Sequence, residues 1–191
     1  KTASSAERML IEIIKRAKRL TQSGQKIEAT PALRIFLERD ITMRDFAEDP
    51  DLLEIFMALD DTDVWGSIKF WAQHEDPVLS TLSKMLLERK IFKVEMLSEK
   101  ASKARVDSLR EQVATTYHLN KEEAKSFVAR GHVSNAAYLP KDQTINILRK
   151  SGEVIDVATA VDLSNIKAIS KIVKKYYLCW PKDVSLDPKI Q

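Results

Sequence analysis

From about residue 4 to residue 89 the apolar side chains return every three to four positions, and over Ile91–Leu97 they alternate every two. A buried helix stripe needs a period near 3.6 and a half-buried strand a period of 2, so this break constrains the chain to helices first and strands afterwards. The expected fold class is α+β. An N-terminal all-helical layer over 1–89 is followed, over 90–191, by an α+β subdomain: a mostly antiparallel sheet with covering helices. Only 4 of the 191 residues are Gly, which disfavours Gly-rich phosphate loops and supports the helical reading.

The first helix is expected over residues 4–23, with Met9, Leu10, Ile13, Ile14, Ala17 and Leu20 on one stripe. Ser4 with Glu7 has the spacing of a capping box, and Gly24 is a stop. Pro31 and Pro50 each open a helix, with a short turn of helix from Met43 to Ala47 between them. Asp60, Asp61 and Asp63 precede the run with Val64, Ile68 and Trp71, and Asp76-Pro77 precedes Val78, Leu79, Leu82, Met85 and Leu86. Carboxylates at a helix start accept its unpaired N–H groups.

Alternation over Ile91–Leu97 reads as a strand. A helix is expected at about 103–118, and Asn120 with Glu123 opens a short one ending near Gly131. A strand is expected within 132–139. Lys150-Ser151-Gly152 joins the two arms of a hairpin, Thr144–Arg149 and Glu153–Thr159. A helix over Ser164–Lys174 and a closing strand over Lys175–Trp180 complete the reading.

The chemistry-bearing residues are sparse. One Cys, Cys179, excludes an internal disulfide, and with three His it argues against a Cys/His zinc site. Cys179 lies between Leu178 and Trp180 and reads as a small buried hydrophobe. The Asp60, Asp61, Asp63 group, with Glu54 nearby, has the oxygen ligands for Mg²⁺ or Mn²⁺, but helix capping accounts for it more simply. His74-Glu75-Asp76 is the one place where His and acids adjoin, while His118 and His132 stand alone. Lys15, Arg16, Lys18 and Arg19 form one basic patch and Lys167, Lys171, Lys174 and Lys175 another, each read as a solvated helix face. With a net charge of +3, the chain is not expected to bind nucleic acid, although Tyr176, Tyr177 and Trp180 have rings that stack on bases. No charged-then-apolar leader follows Lys1 and the apolar runs are short, so neither a signal peptide nor a membrane span is expected. From the residues alone, no catalytic residue and no metal ligand is assigned within this chain.

Several stretches resemble one family. Lys1-Thr2-Ala3 followed by Ala6-Glu7-Arg8-Met9-Leu10-Ile11 is similar to the segment beginning at the Lys of a Tyr-x-His-Lys motif in HD-domain phosphohydrolases, in the deoxynucleotide triphosphohydrolase branch. Leu59-Asp60-Asp61-Thr62-Asp63-Val64 and Glu88-Arg89-Lys90-Ile91-Phe92-Lys93 resemble that family's acidic helix start and its R-x-L/I-F-K passage from helix into strand. Lys174-Lys175-Tyr176-Tyr177-Leu178-Cys179-Trp180-Pro181-Lys182 looks like the C-terminal strand of bacterial members.

The resemblance implies a metal-dependent phosphohydrolase of nucleotides or another phosphate ester, in which an H…HD…D set holds a divalent metal. This sequence has no His-Asp dipeptide. A chain that opens at Lys1 inside a helical pattern therefore reads as the C-terminal fragment of such an enzyme, inactive alone, with its metal expected only in the full-length protein. Lys1 is the position carried over as nucleotide-binding. The implied partners are the N-terminal HD half of the same protein, further copies in a homo-oligomer, and a nucleotide; the implied location is the cytoplasm. The alternative is a non-catalytic oligomerisation or partner-docking module.

Overall fold

A computed structural model describes residues 2–134, 146–156 and 174–185. Six helices come first: α1 (Thr2–Gln22), α2 (Pro31–Glu38), α3 (Met43–Glu48), α4 (Pro50–Met57), α5 (Asp61–Trp71) and α6 (Pro77–Leu87). Strand β1 (Lys93–Leu97) follows, then α7 (Lys103–Thr116), a 3-10 helix (Glu123–Phe127), β2 (Ala129–Ser134), β3 (Asn146–Leu148), β4 (Val154–Asp156) and β5 (Lys174–Trp180). The class is α+β, with the helices ahead of the sheet, as the change of period requires.

Two compact units are present. The first holds the described residues up to Glu95, then Ser102–Ala129 and the described residues from Leu178 on. The second holds Met96–Ala101 and the described residues from Arg130 to Tyr177.

Within the first unit α1 is the central rod, packed on α2 and α6, and α5 packs on α6 and α2. Met9, Ile13 and Ala17 are wholly buried, as are Val78, Leu79 and Leu82 of α6. Each of these apart from the small Ala17 stabilises the fold by about 1.5–3 kcal/mol. Leu10 and Ile14 are only partly covered, because the buried stripe runs through Ser5, Met9, Glu12, Ile13, Ala17 and Leu20. The capping box expected at Ser4 and Glu7 is overturned: α1 is already under way at Thr2. Ser5 instead donates to the Phe92 carbonyl at 2.8 Å, tying α1 to the residue just before β1. Gly24 has φ +87, the left-handed conformation that suits a helix stop.

The capping side chains at helix starts do what their position dictates. Thr30 accepts from Leu33 N–H, Asp49 from Leu52 N–H and Asp76 from Leu79 N–H. Asp60 accepts from Thr62 and Asp63 N–H while Asp63 accepts from Asp60 N–H, a reciprocal box. Asn120 and Glu123 form the same arrangement, but the element that follows is a 3-10 helix ending at Phe127, short of Gly131. Gly131 lies in β2, where a Cβ would stand 2.5 Å from the Tyr177 hydroxyl oxygen, so it serves close approach in a sheet rather than a helix stop. The strand expected within 132–139 accordingly starts earlier, at Ala129, and residues 135–139 lie outside the described residues.

Strands β1, β5 and β2 form a three-stranded sheet in that order. β3 and β4 form an antiparallel hairpin with Ile147 opposite Ile155 and Leu148 opposite Val154. Its connection is Arg149 to Glu153, with Gly152 at φ +84, and residues 144, 145 and 157–159 of the expected arms lie outside the described residues. The helix expected over Ser164–Lys174 lies outside the described residues, apart from Lys174 itself, which begins β5.

Candidate anion-binding site

The end of α6 sets the geometry of the most site-like region. Lys90 N–H reaches back to the Met85 carbonyl at 2.8 Å and Arg89 N–H to that of Leu86, which turns the chain sharply at Arg89. Arg89 itself has φ 57. Glycine usually occupies that left-handed position, and an L side chain there costs about 1–2 kcal/mol. Arg89 sits instead at the rim of a cavity of about 570 Å³.

Lys84 from the last turn of α6, Glu88, Lys90, Tyr117 at the end of α7, and Lys182 and Asp183 after β5 complete most of the wall. Four cations thus face two carboxylates, and both carboxylates are engaged. Lys90 pairs with Glu88 at 2.7 Å, which holds the Glu88 carboxyl below its usual range and raises the Lys90 ammonium. The Tyr117 hydroxyl donates to both Asp183 oxygens, at 2.7 and 2.8 Å. Burial first, then the Asp183 bond and charge, push the phenol well above its ordinary value, so Tyr117 remains a proton donor at neutral pH. Among the described residues Lys84, Arg89 and Lys182 make no ion pair. Cations without acidic partners around a cavity favour an anionic ligand, and the Arg fork suits a phosphate or carboxylate.

A neighbouring cavity of about 500 Å³ shares Lys182 and adds Lys93, Glu95, Arg105 and Trp180. Arg105 Nη2 donates to both Glu95 oxygens, at 2.9 and 2.8 Å, while its buried Nε finds no partner among the described residues. Lys93 Nζ lies 5.2 Å from the Trp180 ring centroid, within cation–π range. Arg89, Lys90 and Lys93 of the R-x-I-F-K passage therefore line two adjoining cationic cavities.

The other candidate residues resolve into structural roles. The first basic patch is largely consumed internally. Arg16 pairs with Asp76 and approaches Glu123, Lys18 pairs with Asp40, and Arg19 reaches the Lys15 carbonyl. His74 Nδ1 accepts from Asp76 N–H. Burial pushes the Asp76 carboxyl up, but the bonds from Arg16 and Leu79 N–H and the Arg16 charge outweigh it and hold it below its usual range. Burial pushes the Cys179 thiol up to about 11, which leaves it unreactive. Among the described residues no group of three His, Cys, Asp or Glu side chains is placed to hold a metal ion. Lys1, Lys167 and Lys171 lie outside the described residues, and Lys174 and Lys175 are exposed on β5. No described helix is long and apolar enough to cross a membrane. Lys182, Asp183 and Tyr117 were not singled out as site residues by sequence reasoning. Tyr117 and Asp183 meet across 66 positions, and no local pattern signals that pairing.

No protein-family model matches the sequence, and neither does any curated protein. Among solved structures, the chain is similar to the crystal structure of a phosphohydrolase from Bacteroides thetaiotaomicron, at 42% identity with a TM-score of 0.79. The match covers 95% of this chain and 45% of that protein, so the chain spans less than half of its relative's length.

Proposed function

We propose that the chain is the C-terminal part of an HD-superfamily phosphohydrolase of the deoxynucleotide triphosphohydrolase-like branch. The 42% identity with a phosphohydrolase over 95% of the chain supports the phosphohydrolase part of this reading, and the resemblance of Lys1-Thr2-Ala3 and of Glu88–Lys93 supplies the HD branch. In this reading the metal-holding H…HD…D set belongs to polypeptide upstream of Lys1, consistent with the absence of a His-Asp dipeptide here. The part played by this chain is binding. It completes the helical half of the fold and presents Lys84, Arg89 and Lys182 to the phosphates of a nucleotide, with Lys1 as a further phosphate contact.

The test compares two proteins: the 191-residue chain, and a form extended upstream through an HD pair. Each is assayed for Mg²⁺- or Mn²⁺-dependent release of phosphate or tripolyphosphate from deoxynucleoside triphosphates. The extended form turns over and the chain alone does not. The chain alone still binds tripolyphosphate at low salt, and Arg89→Ala or Lys182→Ala weakens that binding about tenfold. Turnover by the chain alone, or an upstream reading frame without an HD pair, defeats the proposal.

A further inference from the structure

α4 carries more apolar side chains than its packing uses. Leu52, Leu53, Ile55, Phe56 and Met57 belong to this eight-residue helix, yet only Leu52 is buried. At about 100° per residue they span an arc of about 200°, roughly twice the narrowest stripe of a helix lying on a fold's surface. Leu53, Phe56 and Met57 stand three and four positions apart and so share one side of the helix. They are 47%, 52% and 76% exposed. Phe56 also meets Phe36 of α2 and Phe46 of α3 in a cluster with ring centroids 5.6 to 6.5 Å apart, and none of these three residues is buried. A helix apolar on two sides and an aromatic cluster left open belong to the interior of a larger fold.

Charge and length decide what closes that interior. Met43 to Met57 holds five acids, Asp45, Glu48, Asp49, Asp51 and Glu54, against Arg44 alone, in a chain whose net charge is +3. Such a rim repels an anionic bilayer. It also repels a second copy laid on by a two-fold axis, which sets acids against acids. The phosphohydrolase relative, by contrast, extends well beyond this chain: 95% of the chain matches 45% of that protein, so more than half of the relative's polypeptide has no counterpart here.

We infer that Leu53, Phe56 and Met57 are interior residues of the longer protein, packed by the upstream part of the same polypeptide. The inference rests on reading the chain as part of a longer phosphohydrolase, and it adds which face joins the two parts.

Met57 is the probe, being 76% exposed here while Met9 is wholly buried. The form extended upstream through an HD pair is treated with hydrogen peroxide, both folded and in denaturant, and oxidation at each Met is followed by peptide mass spectrometry. The expected result is that Met57 of the folded extended form reacts at least about tenfold more slowly than in denaturant, at every protein concentration. In the 191-residue chain Met57 reacts at nearly its denatured rate. Met57→Glu lowers the thermal midpoint of the extended form by at least about 4 °C and that of the 191-residue chain by less than about 1 °C. Met57 reacting as fast in the folded extended form as in denaturant overturns the inference and leaves the face to a separate partner. Protection that disappears on dilution to a monomer overturns it too, because a second copy is then the occupant. Activity is scored apart from protection. An inactive extended form with Met57 protected upholds the inference and defeats the functional reading alone, whereas an active form with Met57 open defeats the inference alone.

Discussion

Arg89 and His118 share a backbone conformation, with φ 57 and 54, each just past the end of a helix where glycine is the usual residue. Replacing either with Gly releases the strain but adds unfolded-state freedom, and the balance is about 1 kcal/mol of added stability. We expect Arg89→Gly and His118→Gly each to raise the thermal midpoint by about 2–4 °C. Arg89→Ala, equally strained, leaves the midpoint where it is. Tripolyphosphate affinity falls for both Arg89 variants and is unchanged for His118→Gly, because only Arg89 lines the cavity. Equal loss of affinity in His118→Gly removes Arg89 from the site. At this scale the sequence was partly legible. Gly24 and Gly152 announce their turns, whereas nothing local distinguishes an Arg that takes a glycine conformation.

At the scale of the element, Asp76 caps α6 and pairs with Arg16 of α1 through the same carboxylate, so one side chain fixes a helix start and a helix crossing. Its carboxyl titrates below the unfolded value. The stability it contributes is therefore fully present above an unfolded pKa of about 3.9 and is lost as pH falls through the lower folded pKa. Asp76→Asn keeps a capping oxygen and removes the charge. We expect it to flatten the decline in stability between about pH 4 and pH 2 in denaturant titrations, and an unchanged decline disproves the coupling. Asp60→Ala costs about 1 kcal/mol through its lost cap, while Asp61→Ala, whose side chain makes no capping bond, changes stability by less than about 0.5 kcal/mol. Chemical denaturation separates the two. Element starts were the most readable feature of this chain, since Thr30-Pro31, Asp49-Pro50 and Asp76-Pro77 each place a cap before a Pro that suits a first turn. The crossing of Arg16 with Asp76 was not readable, because across a separation of 60 positions nothing tells which acid a surface-like Arg meets.

For the whole molecule, Cys179 is a built-in gauge of global opening. It is fully buried, its Sγ lies 3.4 Å from the Ala129 carbonyl oxygen, and burial lifts its thiol to about 11. At pH 8 we expect a thiol reagent to label it at least about 100-fold more slowly than free cysteine, with the rate rising in step with denaturant unfolding. Prompt labelling in native buffer refutes the buried placement. The order of classes along the chain, helices before strands, follows from the change of period and is plain in the sequence. The order of strands within the sheet does not, because alternation fixes which face a side chain takes and is silent on which neighbour it pairs with. That order has a consequence during synthesis. Since β5 lies between β1 and β2, the two earlier strands leave the ribosome without their mate and wait, edges open, until residues 174–180 emerge. A nascent chain halted before Lys174 is therefore the form of this protein most in need of a chaperone.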